Sequence, residues 1–166
     1  TKSIIAALVA TTARQGSAAN NNVGHNGLVV KSGAKIAGLT ITIVDGAASL
    51  QGKVAAEKPG ARLPERLRVH LIPAEAGAAD DLFRYAETFA RDAGTFAFSH
   101  LAPGRYWLLA RAAPDDEARE RLQAWDSQKR ATLRREAEAA RQEIELQACQ
   151  RLTNLVVRYT PSPGKY

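Results

Sequence analysis

The stretch GTFAFSHLAPGRYWLLARAA, residues 94–113, places two alternating runs on either side of a Pro-Gly pair. Phe96 and Phe98 share one face of the first run, and apolar side chains alternate again in the second run. A period of two is typical of strands that are buried on one face. Pro103 presets φ and Gly104 tolerates a positive φ, as the central positions of a type II turn require. The stretch therefore predicts a β-hairpin that turns at the Pro-Gly pair.

Short runs of the same kind occur along most of the chain. In residues 67–72 one face carries Leu67, Val69 and Leu71. Arg68 and His70 face the other way, so we expect His70 at the surface. Short strands at this spacing are typical of an all-β sandwich. The other predicted strands are residues 28–31, 39–44, 48–54, 82–90, 144–149 and 155–160.

Residues 114–142 depart from this pattern and predict one helical insertion between strands. Apolar residues recur there at roughly helical spacing, and Asp126 is a suitable N-cap for a helix over residues 127–142. The opposite face mixes arginines and glutamates, such as Arg134 and Glu138 one turn apart, which is typical of a solvated surface.

The N-terminal region differs in composition from the rest. Residues 3–10, SIIAALVA, predict an apolar strand, with a short helix as the alternative, whereas the Asn, Gly and Ser of residues 15–27 favour a loop. We therefore divide the chain into an N-terminal strand with its linker (1–26), a β-sandwich (27–160) and a tail (161–166). An isolated strand exposes its backbone polar groups, so we expect residues 3–10 to pair with another strand.

Four short motifs follow one another between residues 38 and 113. They are Gly52-Lys-Val54, a strand that ends at Pro73, RDAGTFAF at residues 91–98, and LAPGRY at residues 101–106. This order resembles that of carboxypeptidase regulatory-like domains, which are transthyretin-like (prealbumin-like) β-sandwiches. The resemblance implies an all-β, transthyretin-like or Ig-like sandwich, here with one helical insertion and an extended N-terminal strand. It also implies structural roles for Gly94, Phe96, Phe98, Pro103, Gly104 and Tyr106.

Candidate catalytic residues are few and scattered. His25, His70 and His100 fall on a linker, a strand face and the predicted hairpin, and no Gly-x-Ser-x-Gly motif is present, so we expect no enzymatic activity. The lone Cys149 excludes an intramolecular disulfide, and such a thiol is more often a small buried hydrophobe than a nucleophile. One cysteine with three scattered histidines also gives no zinc-site spacing.

Two weaker binding hypotheses remain open at this stage. Asp80, Asp81 and Asp92 could meet around Ca²⁺ at one end of the sandwich, but the EF-hand spacing is absent and solvated loop acids are the preferred interpretation. Trp107 and Trp125 could form a platform for a sugar, but they are expected to pack against each other instead. We therefore predict neither a metal nor a cofactor.

Charge and hydropathy limit the classes of partner. The formal net charge is +6, but the first 44 residues carry only Lys2, Arg14, Lys31 and Lys35 without a basic cluster, so nucleic-acid binding is not expected. No stretch approaches the ~20 apolar residues of a membrane span. The chain contains no methionine, so we expect it to be processed or a fragment. The resemblance implies an extracellular, cell-surface or periplasmic bacterial protein, because modules of this kind occur in large exported repeat proteins.

Two functions of different classes are consistent with these features. In the first, the chain is a structural subunit that assembles into an extracellular homo-oligomer or fibre by strand addition. In the second, it is a spacer or adhesion module of a larger secreted protein, with a carbohydrate-binding module as a further alternative that requires exposed coplanar aromatic rings. The candidate assembly strand in the first hypothesis contains Ile4, Ile5, Leu8 and Val9.

Overall fold

The computed structural model describes residues 3–14, 17–22, 30–35, 39–113 and 126–161, and the statements below concern those residues. Short 3₁₀ turns lie at Ala76–Ala78, Leu82–Arg84 and Asp92–Gly94. The strands and the helix, in chain order, are β1 (Ser3–Arg14), β2 (Ser17–Asn22), β3 (Leu39–Asp45), β4 (Ala48–Ala56), β5 (Leu67–Pro73), β6 (Ala86–Phe89), β7 (Thr95–Leu101), β8 (Gly104–Ala112), α1 (Ser127–Ala140), β9 (Glu143–Leu146) and β10 (Arg151–Tyr159).

The strands form three sheets. The N-terminal sheet has the order β2-β1-β3, the front sheet β10-β4-β7, and the back sheet β6-β5-β8-β9. Neighbouring strands are antiparallel except for β10 and β4, which run parallel. The front and back sheets enclose one apolar core, so the prediction of a β-sandwich with a helix is confirmed.

The core is built from alternate residues of the facing strands, as the period of two predicts. The Phe96 and Phe98 rings of β7 meet edge to face at a centroid distance of 6.0 Å. Burying one such large apolar side chain contributes roughly 1.5–3 kcal/mol. The buried residues of this core include Leu50 and Val54 of β4, Leu67, Val69 and Leu71 of β5, Phe96 and Phe98 of β7, Tyr106, Leu108 and Ala110 of β8, Leu146 of β9 and Val157 of β10.

The stretch 94–113 is not a β-hairpin, so this prediction is wrong. β7 pairs with β4 in the front sheet, whereas β8 pairs with β5 and β9 in the back sheet. Ala102 and Pro103 therefore form an arch between the two sheets. Both runs carry an apolar face, and the arch lets those faces meet across the core, where a hairpin would place them side by side. The positive φ predicted for Gly104 is observed, at 136°.

The helix α1 begins where the sequence predicts. The side chain of Asp126 accepts hydrogen bonds from the backbone N–H groups of Gln128 and Lys129, at 2.9 and 3.1 Å. This N-cap satisfies two of the donors that the first turn of a helix leaves free. The helix ends at Ala140, two residues earlier than predicted, because Arg141 adopts a left-handed conformation with φ of 50°. Residues 114–125 of the predicted insertion lie outside the described residues.

The helix covers the outer face of the back sheet. Leu133 and Ala137 of α1 pack with Ile72 of β5 and Leu109 of β8, in a second apolar cluster separate from the sandwich core. Every residue of β5 is consequently buried. His70, which was expected at the surface, is only 4% exposed, because the face that it shares with Ile72 is covered.

Several local predictions need correction. β2 lies at Ser17–Asn22, inside the segment expected to be a linker, and Val30 and Lys31 belong to no strand. Pairing in a sheet uses backbone groups, so an Asn-rich segment beside a long strand can still be an edge strand. Leu82–Arg84, expected within a strand, is a 3₁₀ turn. Cys149 is exposed in the turn between β9 and β10, and is not the buried hydrophobe expected.

Candidate functional site

The candidate assembly strand β1 is the central strand of the N-terminal sheet. It pairs with β2 along residues 9–14 and with β3 along residues 3–10, with an irregularity between Ile5 and Ala7. Its backbone is thus paired within the chain itself. The four residues singled out from the sequence have the following partners in β3: Ile4 with Val44, Ile5 with Ile43, Leu8 with Ile41, and Val9 with Thr40.

The N-terminal sheet is joined to the sandwich by a short, well-fixed connection. β3 continues through Gly46 and Ala47 into β4 of the front sheet. The Gly46 carbonyl accepts a hydrogen bond from the Cys149 N–H at 2.9 Å, and a Cβ on Gly46 would lie 3.3 Å from that of Ala148. Ile43, just before this connection, is 63% exposed. Ile43 therefore presents apolar surface beside a fixed junction.

The predicted structural glycines have steric reasons to be glycine. Gly94 has φ of 78°, and a Cβ there would lie 2.8 Å from the Val54 carbonyl oxygen. A Cβ on Gly104 would lie 2.0 Å from Nη2 of Arg84. A third glycine, Gly52 of the Gly-x-Val motif, would bring a Cβ within 2.7 Å of the Phe96 ring. These positions admit close approach of neighbours that a larger residue would displace.

Tyr106 holds the arch to the sandwich. Its hydroxyl donates to the Ala102 carbonyl oxygen at 2.8 Å and accepts from Nε of Arg84 at 3.1 Å. The Arg84 guanidinium also lies 4.7 Å from the centre of the Tyr106 ring. Burial raises the pKa of Tyr106, so the hydroxyl remains a donor at neutral pH. The predicted structural role of Tyr106 thus has a geometric basis in this contact with the arch.

Glu75 extends this network across the arch. Its carboxylate lies 2.6 Å from Nη1 of Arg84 and accepts a hydrogen bond from the Arg105 N–H at 2.9 Å. Burial alone would raise the pKa of Glu75, but these hydrogen bonds outweigh it and lower the pKa. Neither Arg84 nor Glu75 belongs to a motif, so no signal in the sequence identifies them as partners.

A second charged group lies on the outer face of the back sheet. Nη1 of Arg68 is 3.2 Å from Oε2 of Glu87, and Nδ1 of His70 is 3.8 Å from the same oxygen. Burial, and then the positive charges of Arg111 and Arg68, lower the pKa of His70 to about 3. The carboxylate of Glu87 favours a higher pKa of His70. The Arg68 guanidinium lies closer to that carboxylate than His70 does and offsets its charge. His70 is therefore neutral at physiological pH.

One edge of the sandwich is closed by a side chain. Gln142 donates through Nε2 to the Arg158 carbonyl oxygen at 2.8 Å and accepts from the Arg158 N–H at 2.6 Å. The carbonyl oxygen of Gln142 itself accepts from the Leu108 N–H at 2.8 Å. Gln142 therefore bridges β8 of the back sheet and β10 of the front sheet, and occupies backbone groups at the β10 edge that a neighbouring strand would otherwise pair with.

The histidines and acidic residues considered from the sequence are dispersed. His100 is exposed beside Ser99, and His25 lies outside the described residues. Asp80 pairs with Arg130 at 2.9 Å, while Asp81 accepts from the Phe83 N–H at 3.1 Å. Within the described ranges, no three His, Cys, Asp or Glu side chains are close enough to hold one metal ion.

The structure describes one of the two tryptophans considered from the sequence. Trp107 is half-buried and lies under the Arg134 guanidinium, which is 5.0 Å from its ring. Trp125 lies outside the described residues, so the predicted contact between the two rings stays a prediction.

Comparison of the chain with protein families, with curated proteins and with solved structures gives no significant match. The resemblance to carboxypeptidase regulatory-like domains therefore rests on the motifs alone and stays a prediction. Across the part of the chain that the structure describes, no helix has the length and apolar character needed to cross a bilayer.

Proposed function

We propose that the protein is a non-enzymatic structural subunit or interaction module of an exported bacterial protein, which assembles through its N-terminal strand into an extracellular fibre. The observation that carries this proposal is the position of β1, which is held between β2 and β3 by strand pairing. Another copy of the chain can supply the same backbone groups in the same register. Assembly therefore needs no new interface, because β1 would exchange β3 of its own chain for β3 of another copy.

The connection between β2 and β3 allows such an exchange. Residues 23–38 join the β1–β2 pair to β3, and 16 residues can span up to about 50 Å when extended. β3 itself stays with its sandwich through the fixed junction at Gly46. If the β1–β2 pair of each copy is placed on β3 of the next, the contact is heterologous and propagates without closing.

The sandwich suits a passive structural role. The charged side chains beside the arch are engaged, since Arg84 pairs with Glu75 and donates to Tyr106. The β10 edge is occupied by Gln142. These interactions fix the connection between the sheets and leave the N-terminal sheet as the region for association. An extracellular or cell-surface location, with the periplasm as the alternative, belongs to this proposal.

The test replaces apolar residues of β1 by a charge. Ile5→Asp and Leu8→Asp should block the formation of large assemblies, because a charged side chain in a central strand disfavours strand pairing. Light scattering measures the size of the assemblies. Circular dichroism should show that the sandwich remains folded. Val156→Asp, at a position 60% exposed on the front sheet, is the matched control and should assemble like the parent chain. Normal polymerisation of the β1 variants would show that the proposal is wrong.

A monomeric spacer or adhesion module is the second candidate, because the pairing of β1 with β3 of its own chain requires no second copy. The two candidates are separated by the solution mass of residues 1–166 and of a chain lacking residues 1–16. A large assembly that is lost on truncation supports the fibre. Monomers in both cases support the spacer or adhesion module.

A further inference from the structure

A groove crosses the outer face of the front sheet, and no described residue of the N-terminal sheet or of the arch belongs to its lining. Its floor is β4, and its walls come from β10 and from the start of β7, with Arg91 just before that strand. It encloses about 550 Å³ and includes Gln51, Lys53, Arg91, Thr153 and Asn154 in its lining.

An irregularity in β10 shapes one wall of the groove. The register with β4 shifts between Leu152 and Leu155, so that Thr153 and Asn154 stand opposite Gln51 alone. Asn154 has φ of 61°, a left-handed conformation that Asn tolerates better than most residues. Such bulges redirect side chains and are over-represented beside binding sites. Here the bulge brings Thr153 and Asn154 to the rim of the groove.

The groove is cationic. Lys53 and Arg91 are both exposed, and neither side chain forms an ion pair within the described ranges. No carboxylate belongs to the residues that line the groove. The lining therefore favours an anionic ligand.

The backbone groups of β4, which forms the groove floor, are already paired with neighbouring strands. β4 is paired on one side with β10 and on the other with β7, so an extended peptide cannot add to it as a further strand. The lining also offers side-chain amides and hydroxyls, from Gln51, Thr153 and Asn154, none of which makes a hydrogen bond within the described part of the chain. These polar groups lie beside apolar residues of the same lining, which include Ala97, Leu155 and Val156. The amides and hydroxyls match the hydroxyls of a sugar chain.

We propose that this groove binds an acidic polysaccharide. The sugar carboxylates pair with Lys53 and Arg91, and the sugar hydroxyls bond with Gln51, Thr153 and Asn154. No aromatic platform is needed, because ion pairs and hydrogen bonds hold the polysaccharide in the groove. The inference does not depend on fibre assembly, since the groove lies within one sandwich.

The first experiment measures binding of the full chain to alginate, a polyuronate, by isothermal titration calorimetry. The double variant Lys53→Gln, Arg91→Gln should bind about tenfold more weakly, as expected for the loss of two exposed charge contacts. The control carries the same loss of charge elsewhere, as Lys58→Gln, Arg135→Gln, and should bind within twofold of the parent. Absence of alginate binding, or equal weakening in both double variants, would overturn the proposal, because the protein's net charge of +6 alone attracts polyanions.

The second experiment separates a sugar from any other polyanion. Asn154→Gly keeps the left-handed backbone and removes the amide, so it should weaken alginate binding severalfold. Polyglutamate, which has carboxylates without hydroxyls, should bind the parent chain at least tenfold more weakly than alginate at the same salt concentration. Equal affinity for both polymers, with no effect of Asn154→Gly, would assign the groove to acidic peptides instead and refute the polysaccharide.

Discussion

Lowering the pH below about 6.5 is expected to destabilise the sandwich through His70. The folded state holds the pKa of this imidazole at about 3, against 6.5 for an ordinary histidine. As the pH falls through this interval, the unfolded chain binds a proton that the folded chain does not. Stability linked to His70 is therefore complete above pH 6.5 and is lost progressively down to about pH 3.

The size of the effect follows from the width of this interval. Each pH unit inside it costs up to about 1.4 kcal/mol of unfolding free energy. Between about pH 7.5 and pH 5, where most carboxylates stay ionised, the expected loss is roughly 2 kcal/mol. Arg68 and Arg111 maintain the low pKa of His70 together with burial, since both add positive charge close to the imidazole.

Urea unfolding at a series of pH values measures this loss directly. His70→Gln removes the titrating group and should flatten the pH dependence over this range, even if it lowers the stability at pH 7.5. His100→Gln, at an exposed histidine, should leave the slope of the parent chain unchanged. If the parent chain and His70→Gln lose the same free energy between pH 7.5 and pH 5, the burial argument for His70 is refuted.

Three further substitutions test the packing around the core and the β10 edge. Gly52→Ala places a Cβ against the Phe96 ring and should lower the free energy of unfolding by about 2 kcal/mol in urea titrations. Tyr106→Phe removes the hydroxyl that ties β8 to the arch and should cost about 1–2 kcal/mol in the same assay. Gln142→Ala frees the backbone of Arg158, and should increase self-association in analytical ultracentrifugation.

Each of these substitutions has a control in the same chain. Gly77→Ala meets no atom within 4 Å and should be nearly neutral, so an equal loss there would contradict the packing argument for Gly52. Tyr159→Phe removes a hydroxyl that makes no hydrogen bond among the described residues, and should have little effect. Gln128→Ala, on the exposed side of α1, should leave the sedimentation of the chain unchanged.

The alternating pattern was sufficient to predict strands but not their partners. Phe96 and Phe98 face the core as expected, and Asp126 caps the helix as expected. Alternation records only which side of a strand is apolar, so it is equally consistent with two strands of one sheet and with two strands that face each other. The Pro-Gly pair turns the chain in either case, so it does not distinguish an arch from a hairpin.

The alternating pattern also does not predict whether the face of a strand that points away from the core is exposed to solvent. Arg68 and His70 do face away from the core, but α1 packs across that side of the back sheet. A helix that lies many residues later in the chain decides whether such polar residues meet water. The strand at Ser17–Asn22 escapes prediction for another reason, because backbone pairing with β1 holds it and its residues show no apolar period.

The parallel pairing of β10 with β4 has a mechanical consequence. Tension that enters β4 from the N-terminal sheet, and leaves through the far end of β10, pulls the two strands lengthwise in opposite directions. Their paired positions, from Arg151 with Ser49 to Tyr159 with Ala56, are then loaded in shear and share the load, instead of opening one after another. A chain stretched along this path resists extension at the sandwich, so that the β1–β3 pairing or the segments outside the sandwich yield first.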